Sequence, residues 1–332
     1  MGWRGTLRSV QAAVRAAERD SRRRQRDLER RRQAISKANE IERAAYEVEV
    51  YRNRLELLVS VHKEGSSRID WQKISLIPPP QPPQKMTTQE ESARYRLESY
   101  KPNMVTRILR RVEKVRSKLA RDVELGQRAD EAAFREACGH YDQQNSEWNE
   151  KRDLAERILS GDTAAYLEVI KETFREIDDL GSGVEFKISN PHSITADISV
   201  HGENAVPRES KSLLKSGKLS VKQTTKGDFY RLYQDHICSC VLRVARELFA
   251  TLPLEIVVVS AVDMLVNSST GHLEEQSILS AVIPRRTFES LNLDLIDPSD
   301  SMKNFVHRMD FKSTTGFRPV ERFLAEEFTH TS

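Results

Sequence analysis

The sequence predicts a long α-helical hairpin or coiled-coil arm followed by a small α+β, or α/β, domain with a mixed sheet of about five strands. The first observation is composition: 31% of the 332 residues are charged and 38% are hydrophobic, whereas globular domains average about 25% and 45–50%. The second is that proline is absent from residues 1–77 and 103–190, as expected of long helices. The third is that short apolar runs bounded by turn residues begin only after residue 182.

Residues 1–62 are predicted to form a long basic helix, running from about Thr6 to His62. Its second half carries an apolar stripe with gaps of three and four residues, which is typical of a packed or coiled helix. The stripe consists of Ile35, Ala38, Ile41, Ala45, Val48, Tyr51, Leu55 and Leu58. Its first half is Arg-rich on all sides between Glu18 and Gln33, so it cannot bury a face there.

Residues 63–86 form a linker, in which the run Pro-Pro-Pro-Gln-Pro-Pro at 78–83 predicts a stiff spacer. Residues 87–161 are predicted to form a helical arm that pairs with the first helix. Thr87 and Thr88 offer overlapping capping boxes for a short helix, and Asn103 caps a third helix that reaches Ser160. Two helices of similar length joined by a stiff reversal favour an antiparallel hairpin.

Residues 162–332 are predicted to form the C-terminal domain, which is large enough for a core of its own. The helices expected here are Ala164–Asp179 and the strongly apolar Asp228–Thr251. The expected strands are Val184–Ser189, Ile194–His201, Lys218–Gln223, Leu254–Leu265 and Ser277–Pro284. No clear helix or strand is predicted for residues 300–323.

Charge is unevenly distributed, although the formal net charge is only +3. Residues 1–40 hold 12 Lys or Arg against 5 Asp or Glu, residues 101–120 hold 7 against 1, and residues 121–180 have a net charge of −8. The arginine guanidinium can form two hydrogen bonds with a phosphate and stays protonated, so such blocks predict contact with nucleic acid or an acidic partner. The candidate residues are Arg22, Arg23, Arg24, Arg26, Arg30, Arg31, Arg32, Arg110 and Arg111. The alternative is a solvated helix, or one neutralised by the acidic stretch Glu131–Glu150 or by a second protomer.

Several other classes of protein are disfavoured. Three cysteines without a CxxC motif argue against a disulfide framework, and no signal peptide or membrane span is expected, so a cytoplasmic location is predicted. No phosphate-binding glycine motif is present, so no nucleotide site is expected, and no cofactor is predicted. His236 and Cys240 would share one helix face, but two ligands do not make a zinc site. Buried thiols on a core helix are the better interpretation.

One constellation points to catalysis. The order helix, strand, strand, short strand, long helix, strand, strand carries Asp197 on a strand and the tripeptide Glu209-Ser210-Lys211 after it. This resembles the core of restriction-endonuclease-like nucleases. The resemblance implies a Mg²⁺ ion held by Asp197 and Glu209, with Lys211 positioning the attacking water, and Gln234 in support. The flanking residues Pro207 and Arg208 also fit a solvated loop.

The leading interpretation is a non-catalytic coiled-coil interaction or scaffold protein. Self-association or a partner protein would engage the helical arm, and the basic stretches would contact nucleic acid or an acidic partner. The alternative is a Mg²⁺-dependent nuclease whose arm delivers or dimerises the catalytic domain. A membrane-surface helix is disfavoured because residues 18–33 lack the apolar face that interfacial insertion requires.

Overall fold

The computed structural model describes residues 40–175, 183–200 and 202–328. Within these residues the chain forms two compact units. We call residues 73–153 the helical unit, and residues 40–72 together with 154–328 the sheet unit. The Arg-rich residues 22–32, predicted to belong to the first helix, lie outside the described residues.

The α-helices and β-strands follow one another along the chain with a few 3₁₀ turns between them. The helices are α1 Glu40–Val59, α2 Trp71–Ser75, α3 Thr88–Glu98, α4 Met104–Ile108, α5 Val112–Leu159, α6 Thr163–Phe174, α7 Lys226–Thr251, α8 Arg285–Glu289 and α9 Pro298–Ser301. The strands are β1 Gly183–Asn190, β2 Ser193–Ser199, β3 Glu209–Leu213, β4 Leu219–Gln223, β5 Ile256–Val266, β6 Leu273–Pro284, β7 Val306–Arg308, β8 Asp310–Lys312 and β9 Gly316–Arg318.

The helical unit is built around α5, whose 48 residues span about 72 Å at 1.5 Å per residue. The third helix was predicted to run without a break from residue 103, but the structure interrupts it between α4 and α5. Arg110 has a φ of 49°, in the left-handed region that a helix interior excludes. The carbonyl of Arg111 then accepts the amide of Val115 at 3.0 Å and starts α5.

Helix α3 is anchored by a carboxylate from α5. The capping boxes at Thr87 and Thr88 predicted the start of α3 correctly, but the Thr87 side chain does not cap the helix amides. Asp130 accepts the amides of Gln89 and Glu90 at 3.1 and 2.9 Å instead. Gly126 permits this approach, since a Cβ there would lie 2.9 Å from the Gln89 backbone.

The sheet unit contains a mixed five-stranded sheet in the order β1-β2-β5-β6-β7. Neighbouring strands are antiparallel except β2 and β5, which pair in parallel. A parallel pair needs a crossover, and the 26 residues of α7 supply it. The predicted order, a long helix followed by a domain with a mixed sheet of about five strands, is therefore confirmed.

The core lies between one face of this sheet and α7. Ile194, Ala196 and Ile198 of β2 are fully buried, as are Val257 and Val259 of β5. Most of α7 is buried on every side, and it contacts residues 61–63, α9, β5, α1, α6, β6 and β9. The strongly apolar composition of residues 228–251 predicted this central position.

The opposite face of the sheet is covered by the C-terminal segment, residues 320–328. Phe323 and Ala325 form a buried cluster with Val258 of β5 and Val282 of β6. Residues 300–323, for which the sequence predicted no element, contain three short strands and thereby complete the sheet unit.

Helix α1 belongs to the sheet unit, where it contacts α7, β3 and β4. The segment that follows it, residues 60–72, crosses α7. The Ile69 amide donates to Ala250 O at 2.7 Å, and Trp71 Nε1 donates to Thr251 O at 2.7 Å. The pairing of residues 1–62 with residues 87–161 stays a prediction, since residues 1–39 are outside the described part.

Candidate functional site

Asp197 lies in the middle of β2, on the sheet face that the C-terminal segment covers. Its Oδ2 accepts a hydrogen bond from Arg322 Nη1 at 2.6 Å, and its side chain is 24% exposed. Its Oδ1 is buried without a hydrogen-bond partner among the described residues. The C-terminal segment therefore supplies a hydrogen bond to one carboxylate oxygen of Asp197, and the other oxygen accepts none from the described residues.

Serines continue the polar strip from Asp197 across the sheet. The register places Ser260 of β5 beside Asp197 and Ser280 of β6 beside Ser260. The two hydroxyls are 3.0 Å apart, and Ser280 Oγ accepts the amide of Phe323 at 3.0 Å. The strip thus holds the C-terminal segment in place, while Phe323 packs its ring against the Arg308 guanidinium.

Glu209 and Lys211 lie elsewhere. Both are on β3, which pairs only with β4 in a separate two-stranded sheet. Lys211 Nζ is 2.9 Å from Glu47 Oε2 of α1. Glu209 is exposed at the start of β3, opposite Gln223. Across residues 40–175, 183–200 and 202–328, no hydrogen bond or ion pair joins either residue to Asp197, and no group of three or more metal-ligating side chains forms.

Tyr233 and Gln234, at the position where the resemblance places a supporting glutamine, have other contacts. The Tyr233 hydroxyl donates to Asp263 Oδ2, and its ring packs edge-on against Phe317. Gln234 Nε2 approaches Met309 Sδ at 3.7 Å. Both side chains tie α7 to neighbouring elements of the sheet unit.

The cysteines of α7 are core residues, as the sequence predicted. Cys238 and Cys240 are 0% and 1% exposed, and burial raises the pKa of the Cys238 thiol well above its ordinary value. A thiol with a raised pKa is a poor nucleophile and a poor metal ligand. His236 Nδ1 lies 2.9 Å from Leu58 O, which ties this ring to the end of α1.

The described members of the basic set are Arg110 and Arg111. Both are exposed in the turn between α4 and α5, where their guanidinium groups are accessible to an anionic partner. Arg22, Arg23, Arg24, Arg26, Arg30, Arg31 and Arg32 lie outside the described residues.

A cleft of about 540 Å³ opens between residues 68–72, Leu159 and the C-terminal end of α7. Its size suits a small ligand, and Trp71 and Phe249 contribute aromatic walls. The guanidinium of Arg285 at its edge donates to the carbonyls of Phe249, Leu252 and Leu254. Arg285 therefore closes the C-terminal end of α7 instead of presenting its charge to the cleft.

Two features escaped sequence reasoning. The Asp197–Arg322 pair joins residues 125 positions apart, and no local pattern predicts such a contact. The second is strand β3, which pairs with the predicted strand β4; the turn residues Ser216 and Gly217 before β4 were the available signal for this hairpin.

None of the helices in the described residues is both long and apolar enough to cross a membrane. In comparisons with known proteins, the chain matches no family model, no curated protein and no solved structure.

Proposed function

We propose that this protein is a non-catalytic interaction protein whose helical arm self-associates and whose basic stretches contact nucleic acid or an acidic partner. The observation that carries the proposal is α5, a 48-residue helix whose two halves have opposite charge. Such a helix offers a long surface for another helix, and its charge pattern selects the orientation of the partner.

The helical unit has very little interior. Among the described residues 73–153, Ala93 is the only apolar side chain that is buried. Large apolar residues are exposed instead, with 53–81% of their surface accessible to solvent: Tyr95, Met104, Ile108, Leu109 and Leu125. Apolar surface of this extent on a unit with so small a core supports a partner that covers it.

The charges favour a second copy in antiparallel orientation. Residues 112–121, at the start of α5, hold four basic residues and one acidic residue, whereas residues 131–150 hold five acidic residues and one basic residue. An antiparallel pair of α5 helices places the basic start of one beside the acidic part of the other. A parallel pair would place like charges together, which is unfavourable.

Charge reversal tests this arrangement. We expect the full chain to be dimeric by light scattering at low salt. Changing Lys114, Lys118 and Arg121 to Glu, or changing Glu136, Asp142 and Glu150 to Lys, should weaken the dimer roughly tenfold or more, because each set places like charges together. Combining both sets should restore the dimer, since opposite charges again face each other.

The combined variant is the internal control, because it carries all six substitutions. A full chain that is monomeric at every concentration contradicts self-association. Combined substitutions that fail to restore a dimer lost in both single sets contradict the antiparallel orientation.

The nuclease is the second candidate, and the buried, unpartnered Oδ1 of Asp197 favours it. A carboxylate oxygen of this kind suits a hard cation such as Mg²⁺. Under this hypothesis the chain cleaves DNA when Mg²⁺ is added, and Asp197→Ala abolishes cleavage. Absence of cleavage by the wild type, or unchanged cleavage by Asp197→Ala, rejects this candidate.

A further inference from the structure

The β3–β4 hairpin is the most basic surface element of the described sheet unit. Residues 208–226, which we call the basic hairpin, hold six Lys or Arg residues and a single acidic residue. The basic residues are Arg208, Lys211, Lys215, Lys218, Lys222 and Lys226. The segment also contains three Ser hydroxyls and one Gln amide suited to phosphate contacts: Ser212, Ser216, Ser220 and Gln223.

The strand register gives the hairpin two distinct faces. Residues directly opposite each other in an antiparallel pair share a face. Lys211 and Val221 are such a pair, and the contact of Lys211 with Glu47 turns their face toward α1. The other face carries Ser210 opposite Lys222 and Ser212 opposite Ser220, so it is polar, and Lys222 is its basic side chain.

The tip extends this basic face. Leu214 and Lys218 close the turn through a backbone hydrogen bond of 2.9 Å, and Gly217 adopts a φ of +80°. Lys215 and Ser216 are exposed within the turn. Gly217 also lies close to α1, because a Cβ there would be 3.0 Å from a methyl carbon of Ile41. Helix α1 therefore backs the hairpin, which holds the polar face in a fixed shape.

Most of the lysine charges in the hairpin are uncompensated. Lys215, Lys218, Lys222 and Lys226 are exposed and form no ion pair with any residue that the structure describes. Lys211 is the exception, with Glu47 as its partner. Lys215 and Lys218 lie at the turn, Lys222 lies on β4 and Lys226 begins α7. Four ammonium groups within this short segment produce a concentrated positive field that attracts an anionic polymer.

We propose that the basic hairpin binds double-stranded DNA and lies in its major groove, with the lysines on the flanking phosphates. Five paired residues per strand give a ribbon about 17 Å long whose two strands are about 4.8 Å apart. The major groove of B-DNA is about 12 Å wide and admits a two-stranded ribbon. This proposal deepens the proposed function: it chooses DNA as the anionic partner and assigns the contact to a surface outside the Arg-rich segment.

Duplex DNA fits better than the other polyanions. The major groove of duplex RNA is too deep and narrow for side chains to enter. An acidic peptide would be satisfied by lysines alone, whereas the hydroxyls of Ser212 and Ser220 suit phosphate oxygens as well.

The test measures binding of the full chain to a fluorescent mixed-sequence DNA duplex of about 25 base pairs at several salt concentrations. The hairpin variant changes Lys215, Lys218 and Lys222 to Gln. Each phosphate contact contributes about 0.9 to the slope of log affinity against log salt. We therefore expect the slope to fall by about 2–3 and the affinity at about 100 mM salt to fall roughly 100-fold or more.

Two further variants separate the possible explanations. The control changes Lys63, Lys171 and Lys312 to Gln, which removes the same charge from exposed sites outside the hairpin and should alter affinity less than threefold. The second variant changes the seven arginines of residues 22–32 to Gln. Circular dichroism checks that each variant retains its fold.

The outcomes are distinct. If the hairpin variant binds like the control while the arginine variant loses binding, the hairpin proposal is overturned and the proposed function stands. If the wild type binds neither DNA nor any acidic competitor, both are overturned. Equal binding to duplex RNA, or equal competition by polyglutamate, would reject DNA as the partner of the hairpin.

Discussion

Arg243 and Glu247 form an ion pair on α7 whose side chains are only 2% and 0% exposed. Arg243 Nη2 is 3.0 Å from Glu247 Oε1, which also accepts the Ser66 amide at 3.1 Å. Arg243 Nε and Nη1, and Glu247 Oε2, have no hydrogen-bond partner among the described residues. Burying charges is unfavourable unless they are paired, so each member of this pair depends on the other.

Removing one member alone should be strongly destabilising. We expect Glu247→Ala to lower the free energy of unfolding by about 3–5 kcal/mol, because Arg243 is left buried without a counter-charge. Replacing both residues by apolar ones, Arg243→Met with Glu247→Leu, should lose much less, since no buried charge remains. Urea unfolding followed by circular dichroism measures these differences.

An exposed pair on the same helix serves as the control. Arg231 contacts Asp228 with side-chain exposures of 68% and 55%, so Arg231→Gln should change the free energy of unfolding by less than about 1 kcal/mol. A double substitution as destabilising as Glu247→Ala would show that packing, and not charge, stabilises this site.

At the scale of elements, the segment from residue 60 to residue 72 is held on α7 by hydrogen bonds with titratable partners. The His62 amide donates to Ser239 Oγ at 3.0 Å, and His62 Nδ1 lies 2.8 Å from the same oxygen. Because Ser239 Oγ accepts from the amide, its own proton is available for an unprotonated Nδ1. Burial, together with the charges of Lys63 and Arg246, lowers the pKa of His62 below its ordinary value of 6.5.

Acidification should therefore loosen this segment. In the folded protein His62 stays neutral at pH values where the unfolded chain already binds a proton. The unfolded state then binds more protons, and stability is lost as the pH falls below about 6.5. We expect the melting temperature of the wild type to fall more than that of His62→Gln between about pH 7.5 and pH 5.5.

The comparison between the two proteins removes the contribution of all other titrating groups, which they share. Gln keeps a side chain able to hydrogen-bond to Ser239 but has no titrating group. If the melting temperatures of the two proteins fall by the same amount across this pH range, His62 has the same pKa in the folded and unfolded states.

At the scale of the whole molecule, charge and core are segregated. Nearly every buried apolar residue of the described chain belongs to the sheet unit, whereas the helical unit buries Ala93 alone. The near-neutral net charge of +3 is a cancellation between blocks of opposite sign. Under the proposed function, the sheet unit supplies the folded core and the helical unit supplies the surface for assembly.

Elements with a strong local pattern could be predicted from the sequence. The apolar run in residues 254–265 and the apolar residues of 228–251 led to β5 and α7, because burial on both sides requires a continuous apolar composition. The absence of proline from residues 103–190 likewise led to α5. Strand β3 was missed, since serine and lysine dilute its period-two alternation and suggest a solvated loop.

The candidate catalytic site could be predicted only as a list of residues. Asp197, Glu209 and Lys211 are close in sequence, but β3 leaves the main sheet and β5 takes the place beside β2. Which strand lies beside β2 depends on the path of α7 over the sheet. The tripeptide Glu209-Ser210-Lys211 contains no information about that path.

The sequence by itself determined the long helix, the strands β1, β2, β4, β5 and β6, the segregation of charge and the burial of α7, because periodicity and composition act within a few turns of the chain. Only the tertiary structure decided that Asp130 caps α3, that Arg322 pairs with Asp197 and that Glu47 turns Lys211 toward α1. Each of these contacts joins residues more than 40 positions apart or on different elements. These contacts are stabilised by the packing of the whole unit, so they cannot be predicted from a short stretch of sequence.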